Sequence, residues 1–433
     1  MNWTEKYKSK ITTTGQAILH IKDNDHIVMS ECAGVPRLAI QELAANKEKF
    51  HNVTIYHMLT LGAGECYQPE CYGHFKHLTN FVGANTRQII MDGEGDFFPA
   101  FFKDIPSMIE NGEIPCDVAI VTATPPNEDG YCSLSLSCDY AVAAVKKAKL
   151  VIVEANDQLP FIGGGDLIHM DDVDYIVPCS YALPELPAPT ISEVEREIGK
   201  NCASLINDGD TLQLGIGAIP DAVLLFMKEK KDLGIHTEMF SDGVVDLVEA
   251  GVVNGSKKTL HQGKLIATFL MGSKRLYDFV NNNPSVELYG VDYVNDPYVI
   301  AKNDNLVSIN SCIEVDLMGQ VASETIGLKQ FSGTGGQVDY VRGASISKGG
   351  RSIMAMPSTA AKGKVSRIVP FLAHGAAVTT SRNDVDYVVT EYGIAKLKGR
   401  TLRQRALALI EIAHPDFRQG LREEFENRFG TKK

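Results

Sequence analysis

The sequence predicts a mixed α/β fold in two related halves, on three observations. Short apolar runs alternate with helical runs, most clearly over 211–251, which is typical of strand, glycine turn, helix, strand and helix. The segment 178–189 contains four prolines and no helical or strand pattern, so it predicts a domain boundary. A short echo, VDYIV at 173–177 and VDYVV at 385–389, is consistent with two related halves.

The composition is that of an ordinary globular chain of 433 residues, long enough for two domains, which we place at 1–183 and 190–433. The first residues lack an apolar leader and no run of 18 apolar residues occurs, so neither secretion nor a membrane partner is expected. Nine cysteines follow no disulfide framework, which predicts reduced thiols and a cytoplasmic protein. The net charge of −12 argues against nucleic acid as a partner.

In the N-terminal half, the pattern predicts helices at 15–21 and 37–49 and strands at 26–30, 53–61, 117–122 and 150–154. His57 and Met58 fall near the end of the strand 53–61. The sites of α/β proteins usually lie at such strand ends, so both residues are placed for contact with a ligand.

Four potential metal ligands, Cys66, Cys71, His74 and His77, lie within twelve residues. Their spacing, C-x4-C-x2-H-x2-H, is not one of the usual zinc knuckles, and no second cysteine pair closes the loop. The alternatives are a bound metal and buried thiols beside a polar loop. We predict no metal.

The stretch 211–251 contains the candidate chemistry. Strand 211–214 is followed by the glycine turn 215–217 and by a helix with Pro220 near its start, where a missing N–H costs little. The next predicted strand, 235–240, places Glu238 on one face, and a second helix follows. The sequence therefore predicts a carboxylate close to a glycine turn.

A glutamate is ionised at pH 7, since its reference pKa is about 4.3, and it can attack an activated carbonyl such as a thioester without a general base. Two backbone N–H groups at the glycine turn could stabilise the resulting oxyanion. Glu238 is the candidate nucleophile. The alternative is that it only caps a helix or pairs with a cation, and Glu324 and Glu391 are competing carboxylates.

Several common catalytic and nucleotide-binding motifs are absent from the sequence. GIGAIP has proline in place of the last glycine of a dinucleotide-binding turn, and no phosphate-binding P-loop or G-x-S-x-G motif occurs. The run 342–367 contains six Lys or Arg residues and no Asp or Glu. It is either a solvated basic face or the rim of a phosphate pocket. A final helix is predicted at 402–413.

Five motifs, LQLGIGAIPDA, HTEMFSDG, NSCIEVDLMGQ, FSGTGGQVDYVRGA and VVTEYGIAKLKGR, together resemble the acetyl-CoA hydrolase/transferase family of class I CoA-transferases. Within this family the chain is most similar to the 4-hydroxybutyrate and butyrate:acetate CoA-transferases. The resemblance spans nearly the whole chain and implies two open α/β domains with mostly parallel sheets and an active site at their interface.

The resemblance also implies roles for single residues. Glu238 matches the glutamate that forms a glutamyl–CoA thioester, and Glu31 receives no role. The predicted CoA contacts are Gly215, Ile216, Gly217, Ala218, Ile219, Ile313, Gly336, Lys362 and Lys364. The predicted acyl pocket consists of His57, Met58 and Gln213.

The implied activity is a ping-pong CoA transfer between a short-chain acyl-CoA (4-hydroxybutyryl-, butyryl- or acetyl-CoA) and an acid such as acetate. Coenzyme A is then substrate and covalent intermediate, and no permanent cofactor is expected. Two alternatives stay open: an acyl-CoA hydrolase using the same glutamate, and a non-catalytic CoA-binding protein. The family further implies a homo-oligomer.

Overall fold

A computed structural model describes residues 3–165 and 167–430 of the chain. The chain forms two compact units: the first runs to Pro187 and also contains Ile266–Val294, and the second contains Ala188–Leu265 and continues from Asn295. The domain limits 1–183 and 190–433 stay a prediction. They differ from the compact units over Ile266–Val294, which lies in the first unit although it follows the proline-rich segment in sequence.

The strands follow the chain in this order: β1 His26–Met29, β2 Val53–Tyr56, β3 Phe75–Thr79, β4 Gly95–Phe97, β5 Val118–Ala123, β6 Tyr131–Cys132, β7 Leu150–Asn156, β8 Gly163–Gly164, β9 Ile168–His169, β10 Tyr175–Cys179, β11 Thr211–Leu214, β12 Gly234–His236, β13 Met239–Phe240, β14 Leu265–Ala267, β15 Phe269–Leu270, β16 Val286–Leu288, β17 Leu306–Ser311, β18 Glu314–Asp316, β19 Val321–Ala322, β20 Thr325–Ile326, β21 Lys329–Gln330, β22 Arg351–Ala355, β23 Thr359–Ala360, β24 Val365–Ser366, β25 Ile368–Val369, β26 Tyr387–Thr390 and β27 Gly393–Lys396.

The α-helices are α1 Trp3–Lys6, α2 Thr14–Ala17, α3 Arg37–Ala45, α4 Arg87–Met91, α5 Ile105–Asn111, α6 Ala141–Lys147, α7 Glu193–Ala203, α8 Ala218–Leu225, α9 Asp242–Glu249, α10 Lys274–Val280, α11 Val291–Val294, α12 Pro297–Ile300, α13 Gln337–Ile346, α14 Leu402–Glu411 and α15 Pro415–Phe429. Within the described ranges, none of them combines the length and the apolar character that a membrane crossing requires.

The first unit is built on a parallel sheet with the strand order β10-β7-β5-β1-β2-β3-β4. All six residues of β5 are buried, as expected for a central parallel strand covered on both faces. One core cluster joins these strands to α3, whose buried face consists of Ala39, Ile40 and Leu43. The four predicted strands are present, but their ends differ. Strand 150–154 continues to Asn156, whereas strand 53–61 ends at Tyr56, so His57 and Met58 follow it directly.

The second unit has the order β27-β26-β22-β17-β11-β12, parallel except for the antiparallel pair β26–β27. The chain passes from β11 through α8 to β12 on one side, and β17 pairs on the other side of β11. This reversal of direction is a topological switch point, and ligands of open α/β sheets bind at the carboxyl ends of such strands. The predicted α/β class with mostly parallel sheets is confirmed.

A buried glutamate in the first unit joins its sheet to α3. Glu154 of β7 has no exposed surface and accepts hydrogen bonds from the backbone N–H groups of Leu38 (3.3 Å) and Ala39 (2.6 Å) and from the hydroxyl of Tyr181 (2.8 Å). Burial raises the pKa of its carboxyl group to about 7, although these hydrogen bonds favour the charged form. Glu154 therefore ionises at a higher pH in the folded chain than in the unfolded chain.

This raised pKa predicts a pH-dependent stability. The contribution of Glu154 is fully present below its ordinary pKa of 4.5 and is lost as pH rises towards about 7, because only the unfolded chain ionises freely in that window. The free energy of unfolding should fall by up to about 3 kcal/mol as this group passes through that pH window. Urea unfolding of wild type and Glu154→Gln at pH 5 and pH 8, followed by the fluorescence of Trp3, the single tryptophan, measures the difference. Equal pH dependence in the two proteins would contradict it.

Candidate functional site

Three neighbouring strands of the second unit end close to the predicted site residues. β11 ends at Leu214, directly before the glycine turn, β12 ends at His236, two residues before Glu238, and β17 ends at Ser311. Because all three strands are parallel, their carboxyl ends meet at one edge of the sheet. The pairing therefore brings the glycine turn and Glu238 together, as the sequence pattern predicted.

Glu238 lies in a break between β12 and β13, whereas the sequence predicted one continuous strand over 235–240. That prediction is wrong because the side-chain hydroxyl of Thr237 bonds to backbone groups that a continuous strand would pair with backbone groups of its neighbour. Its hydroxyl lies 3.0 Å from the carbonyl of Leu214 and 2.9 Å from the carbonyl of Met239, and it accepts a hydrogen bond from the N–H of Leu214. Glu238 is half-buried in this break, and its neighbour Thr237 lies against the end of β11.

Asn295 orients the Glu238 carboxylate. Its side-chain Nδ2 donates a hydrogen bond of 2.7 Å to Glu238 Oε2. Asn295 is fully buried at the start of the segment that leads into α12, so its amide has little freedom to move. A fixed neutral donor holds the carboxylate in one orientation without neutralising its charge.

Gly336 supplies the space that this carboxylate occupies. A Cβ atom at position 336 would overlap Glu238 Oε2 and Asn295 Nδ2 and would lie 3.1 Å from Glu238 Cδ. The backbone of Gly336 has φ −93°, which any residue adopts, so the requirement for glycine is a steric one. α13 begins at the next residue, and one turn along it the pKa of the buried Tyr340 is raised by burial and by the charge of Glu238.

The glycine turn after β11 ends in the N-terminus of α8. Gly217 is the N-cap residue and has φ 110°, a conformation that favours glycine, and no side chain caps the helix at this position. The first N–H groups of a helix have no intrahelical partner, so they are available for a negative charge. Residues Gly215 to Ala218 are partly exposed, and Ile219 is buried.

Gln213 lies on β11 and is paired with a neighbouring strand. It is buried and exchanges two hydrogen bonds with Asn310 of β17, at 3.1 Å and 3.4 Å. Ile313, just beyond β17, is half-buried, and its N–H donates to the carbonyl of Ala322. Gln213 and Ile313 thus lie near the same carboxyl-terminal strand ends as Glu238.

Five of the six basic residues in the run 342–367 fall into two groups. Arg342, Lys348 and Arg351 form ion pairs with Asp384, Asp304 and Asp210, which lie outside the run. Lys362 and Lys364 are exposed on the turn between β23 and β24 and take no part in these ion pairs. Half of the apparent excess charge is therefore compensated by partners that are distant in sequence.

His57 and Met58 lie in the first unit. His57 has no exposed surface, and the centroid of its ring lies 4.8 Å from that of Tyr67 and 6.1 Å from that of His77. Burial lowers its pKa to about 3, and within the described ranges neither ring nitrogen has a hydrogen-bond partner. Met58 is buried, and its N–H donates to the hydroxyl of Tyr140. In this structure His57 is a neutral residue of the interior.

The competing carboxylates are engaged elsewhere. Both oxygens of Glu391 are bonded to Ser358, to its N–H at 2.8 Å and its hydroxyl at 2.6 Å. Glu324 accepts hydrogen bonds from Gln330 and Thr334 of the following loop and from Thr379, which is distant in sequence. Glu31, to which no role was given, is buried and accepts a hydrogen bond from the N–H of Leu59. Glu238 differs from these three residues in lying at the carboxyl ends of the parallel strands, next to the glycine turn, and it stays the candidate nucleophile.

The Cys66–His77 segment is packed as an interior. The thiol of Cys66 donates to the carbonyl of Ile40 at 3.0 Å, and burial raises its pKa well above the usual value. Burial lowers the pKa of His77 to about 4. Metal ions bind the thiolate, which this environment disfavours. Over residues 3–165 and 167–430, no group of three or more His, Cys, Asp or Glu side chains is arranged to hold a metal ion.

Residues 1–185 match the sequence model of the acetyl-CoA hydrolase/transferase N-terminal domain, and residues 272–425 match that of its C-terminal domain. The chain belongs to the acetyl-CoA hydrolase/transferase family. The family predicted from the five motifs is confirmed.

Relatives within the acetyl-CoA hydrolase/transferase family are close over their whole length. The chain is 57% identical to the 4-hydroxybutyrate coenzyme A transferase of Clostridium kluyveri, covering 99% of this chain and 100% of that protein. It is 36% identical to the butyryl-CoA:acetate CoA-transferase of Anaerostipes caccae, with 97% of each chain covered. The crystal structure of 4-hydroxybutyrate CoA-transferase from Porphyromonas gingivalis is similar at 47% identity and a TM-score of 0.86, covering 99% and 100%.

Proposed function

We propose that this chain is a CoA-transferase that moves coenzyme A between a short-chain acyl-CoA and a carboxylic acid. The observation that supports it best is the Glu238 carboxylate, held by Asn295 beside the end of β11 and the glycine turn. The close relatives act in this reaction class. By analogy with them, the acyl group is 4-hydroxybutyryl, butyryl or acetyl, and acetate is the first acceptor to test.

The first half of the proposed reaction moves CoA from the acyl group to Glu238 in two acyl-transfer steps. A carboxylate oxygen of Glu238 attacks the thioester carbonyl, the C–S bond breaks, and CoA departs as a thiolate, so that an acyl–glutamyl anhydride remains. The thiolate then attacks the glutamyl carbonyl of the anhydride, which releases the acyl group as a free acid and leaves Glu238 as a CoA thioester. The energy of the thioester is kept, since water takes no part.

The second half runs the same steps in reverse with another acid. Its carboxylate attacks the glutamyl–CoA thioester, and the expelled thiolate takes the new acyl group and restores Glu238. Each attack creates an oxyanion, and the N–H groups at the start of α8 are the proposed donors for it. The partly exposed segment Gly215 to Ala218 would bring CoA close to these donors.

The remaining site residues are part of the same proposal. Ile313, Gly336, Lys362 and Lys364 are proposed CoA contacts, and the two exposed lysines would attract its phosphates. Met58 and Gln213 are proposed for the acyl pocket. For His57 the proposal requires a rearrangement, because its ring is fully buried. A cytoplasmic homo-oligomer without a permanent cofactor completes the proposal.

One experiment tests the activity and its rival. The protein is mixed with butyryl-CoA, digested, and the peptide containing Glu238 is examined by mass spectrometry for the mass of a CoA adduct. We expect the adduct on that peptide, and its loss when acetate is added, with one acetyl-CoA formed for each butyrate released. An adduct on another peptide would contradict the mechanism. CoA release without acetyl-CoA would identify a hydrolase, the second activity in the family's name.

A further inference from the structure

Glu324, a carboxylate that the proposed reaction does not use, is almost completely buried in the second unit. Its Oε1 accepts hydrogen bonds from the hydroxyls of Thr334 (3.2 Å) and Thr379 (2.9 Å), and its Oε2 accepts one from Gln330 Nε2 (3.3 Å). Its backbone carbonyl accepts two more, from the N–H groups of residues 331 and 332. Removing this carboxylate would leave these donors without their acceptor, so its position is strongly constrained.

The bonds of Glu324 organise the loop that precedes α13. The hairpin β20–β21 leaves Glu324 and returns, so that residues 330 to 334 lie against the same carboxylate from which the hairpin began. Thr379 ties this arrangement to a distant segment, because its hydroxyl also accepts a hydrogen bond from the N–H of Ser323. One side chain therefore fixes two segments of the second unit relative to each other.

This loop leads directly to the nucleophile. Thr334 stands two residues before Gly336, and its carbonyl accepts a hydrogen bond from the N–H of Gln337 at 3.3 Å. Gln337 is held in turn by Thr380, the neighbour of Thr379. The hydroxyl of Thr380 donates a hydrogen bond of 3.2 Å to the side-chain oxygen of Gln337. Gly336 sits between these anchors with no room for a Cβ beside Glu238. The Thr334 turn is therefore continuous with the Gly336 backbone that lies against the carboxylate.

We propose that Glu324 is a positioning residue for the reaction: through Thr334 it holds the Gly336 turn against Glu238 and so keeps the nucleophile in its attacking geometry. This inference rests on the proposed function. Reactions at a preorganised centre are sensitive to displacement, and a misplacement of about 1 Å costs on the order of 100-fold in rate. Binding of CoA, which depends on many contacts along a long molecule, is much less sensitive.

The test compares variants that change single hydrogen bonds. Thr334→Val keeps the shape of threonine and loses the hydroxyl, Thr334→Ser keeps the hydroxyl, and Glu324→Gln keeps one acceptor oxygen. Asp316→Asn is the matched control, since Asp316 is also a buried carboxylate that organises its own turn, through the N–H groups of Met318 and Gln320. The rate of adduct formation on Glu238 is measured by rapid quench at saturating butyryl-CoA, together with KM and the melting temperature.

We expect Thr334→Val and Glu324→Gln to slow adduct formation by about 10-fold or more, with KM changed less than about threefold. Thr334→Ser should restore the wild-type rate, and Asp316→Asn should keep it. Wild-type rates in both Thr334→Val and Glu324→Gln, or an equal loss in Asp316→Asn, would overturn the inference alone. A wild-type protein that forms no adduct would instead overturn the proposed function, and this inference with it.

Discussion

Glu238→Gln is expected to abolish formation of the CoA adduct and to lower the rate of CoA transfer by at least about 10⁴-fold, the scale of losing a covalent nucleophile. The neutral amide cannot attack a thioester carbonyl. Its oxygen can still accept the hydrogen bond from Asn295 that Glu238 Oε2 accepts now, so the fold should be unchanged. Steady-state assay with butyryl-CoA and acetate, combined with the mass of the digested peptide, measures both effects.

A second glutamate serves as the control for this substitution. Glu391→Gln removes a carboxylate that the sequence motifs also made a candidate, but its oxygens are already bonded to Ser358. We expect this variant to carry the adduct on the Glu238 peptide as wild type does. If Glu238→Gln kept its activity while Glu391→Gln lost it, the nucleophile would have been assigned to the wrong carboxylate.

Gly336→Ala is expected to lower the transfer rate by about 10²- to 10³-fold while the protein stays folded. The added methyl group would overlap Glu238 Oε2 and Asn295 Nδ2, so the carboxylate must leave its present orientation. Because the backbone angles at position 336 suit alanine, the damage is confined to the side chains around it. Transfer rate and melting temperature of the purified variant distinguish a displaced nucleophile from an unfolded chain.

Gly420→Ala is the matched control for the added methyl group. Gly420 lies within α15, and a Cβ at that position would meet no atom within 4 Å. Alanine there should keep full activity and raise stability slightly, by about 1 kcal/mol, because alanine favours a helix more than glycine does. A comparable loss of activity in both variants would contradict the role assigned to Gly336.

Local patterns located the central strand and the glycine turn correctly. β11 begins and ends where alternation of Leu212 and Leu214 predicted, and α8 follows the glycine turn. The prediction of a continuous strand over 235–240 was wrong. Alternation of apolar and polar residues contains no information about the hydrogen bond between the hydroxyl of Thr237 and the carbonyl of Leu214, which lies on another strand. Tertiary hydrogen bonds of this kind decide where a strand stops.

The partners of Glu238 could not be predicted from the sequence. Asn295 belongs to no motif, and its neighbours Asp296 and Pro297 give the signal of a helix start, which says nothing about a distant carboxylate. The charge balance of the basic run could not be predicted from the sequence for the same reason. Arg351 looks uncompensated in sequence, yet Asp210 reaches it from before β11. Pairing across the sheet supplies information that neighbouring residues lack.

The close approach of Gly336 to Glu238 has a consequence for the evolution of this fold. The glycine is required by the carboxylate and not by its own backbone, so the two positions should change together across descendants of a common ancestor. A lineage that replaces the glutamate by a smaller residue removes one of the two overlaps, and the Asn295 amide alone then opposes a side chain at position 336. Under the role proposed for Glu238, sequences that lack both the glutamate and the glycine are the ones expected to have lost the activity.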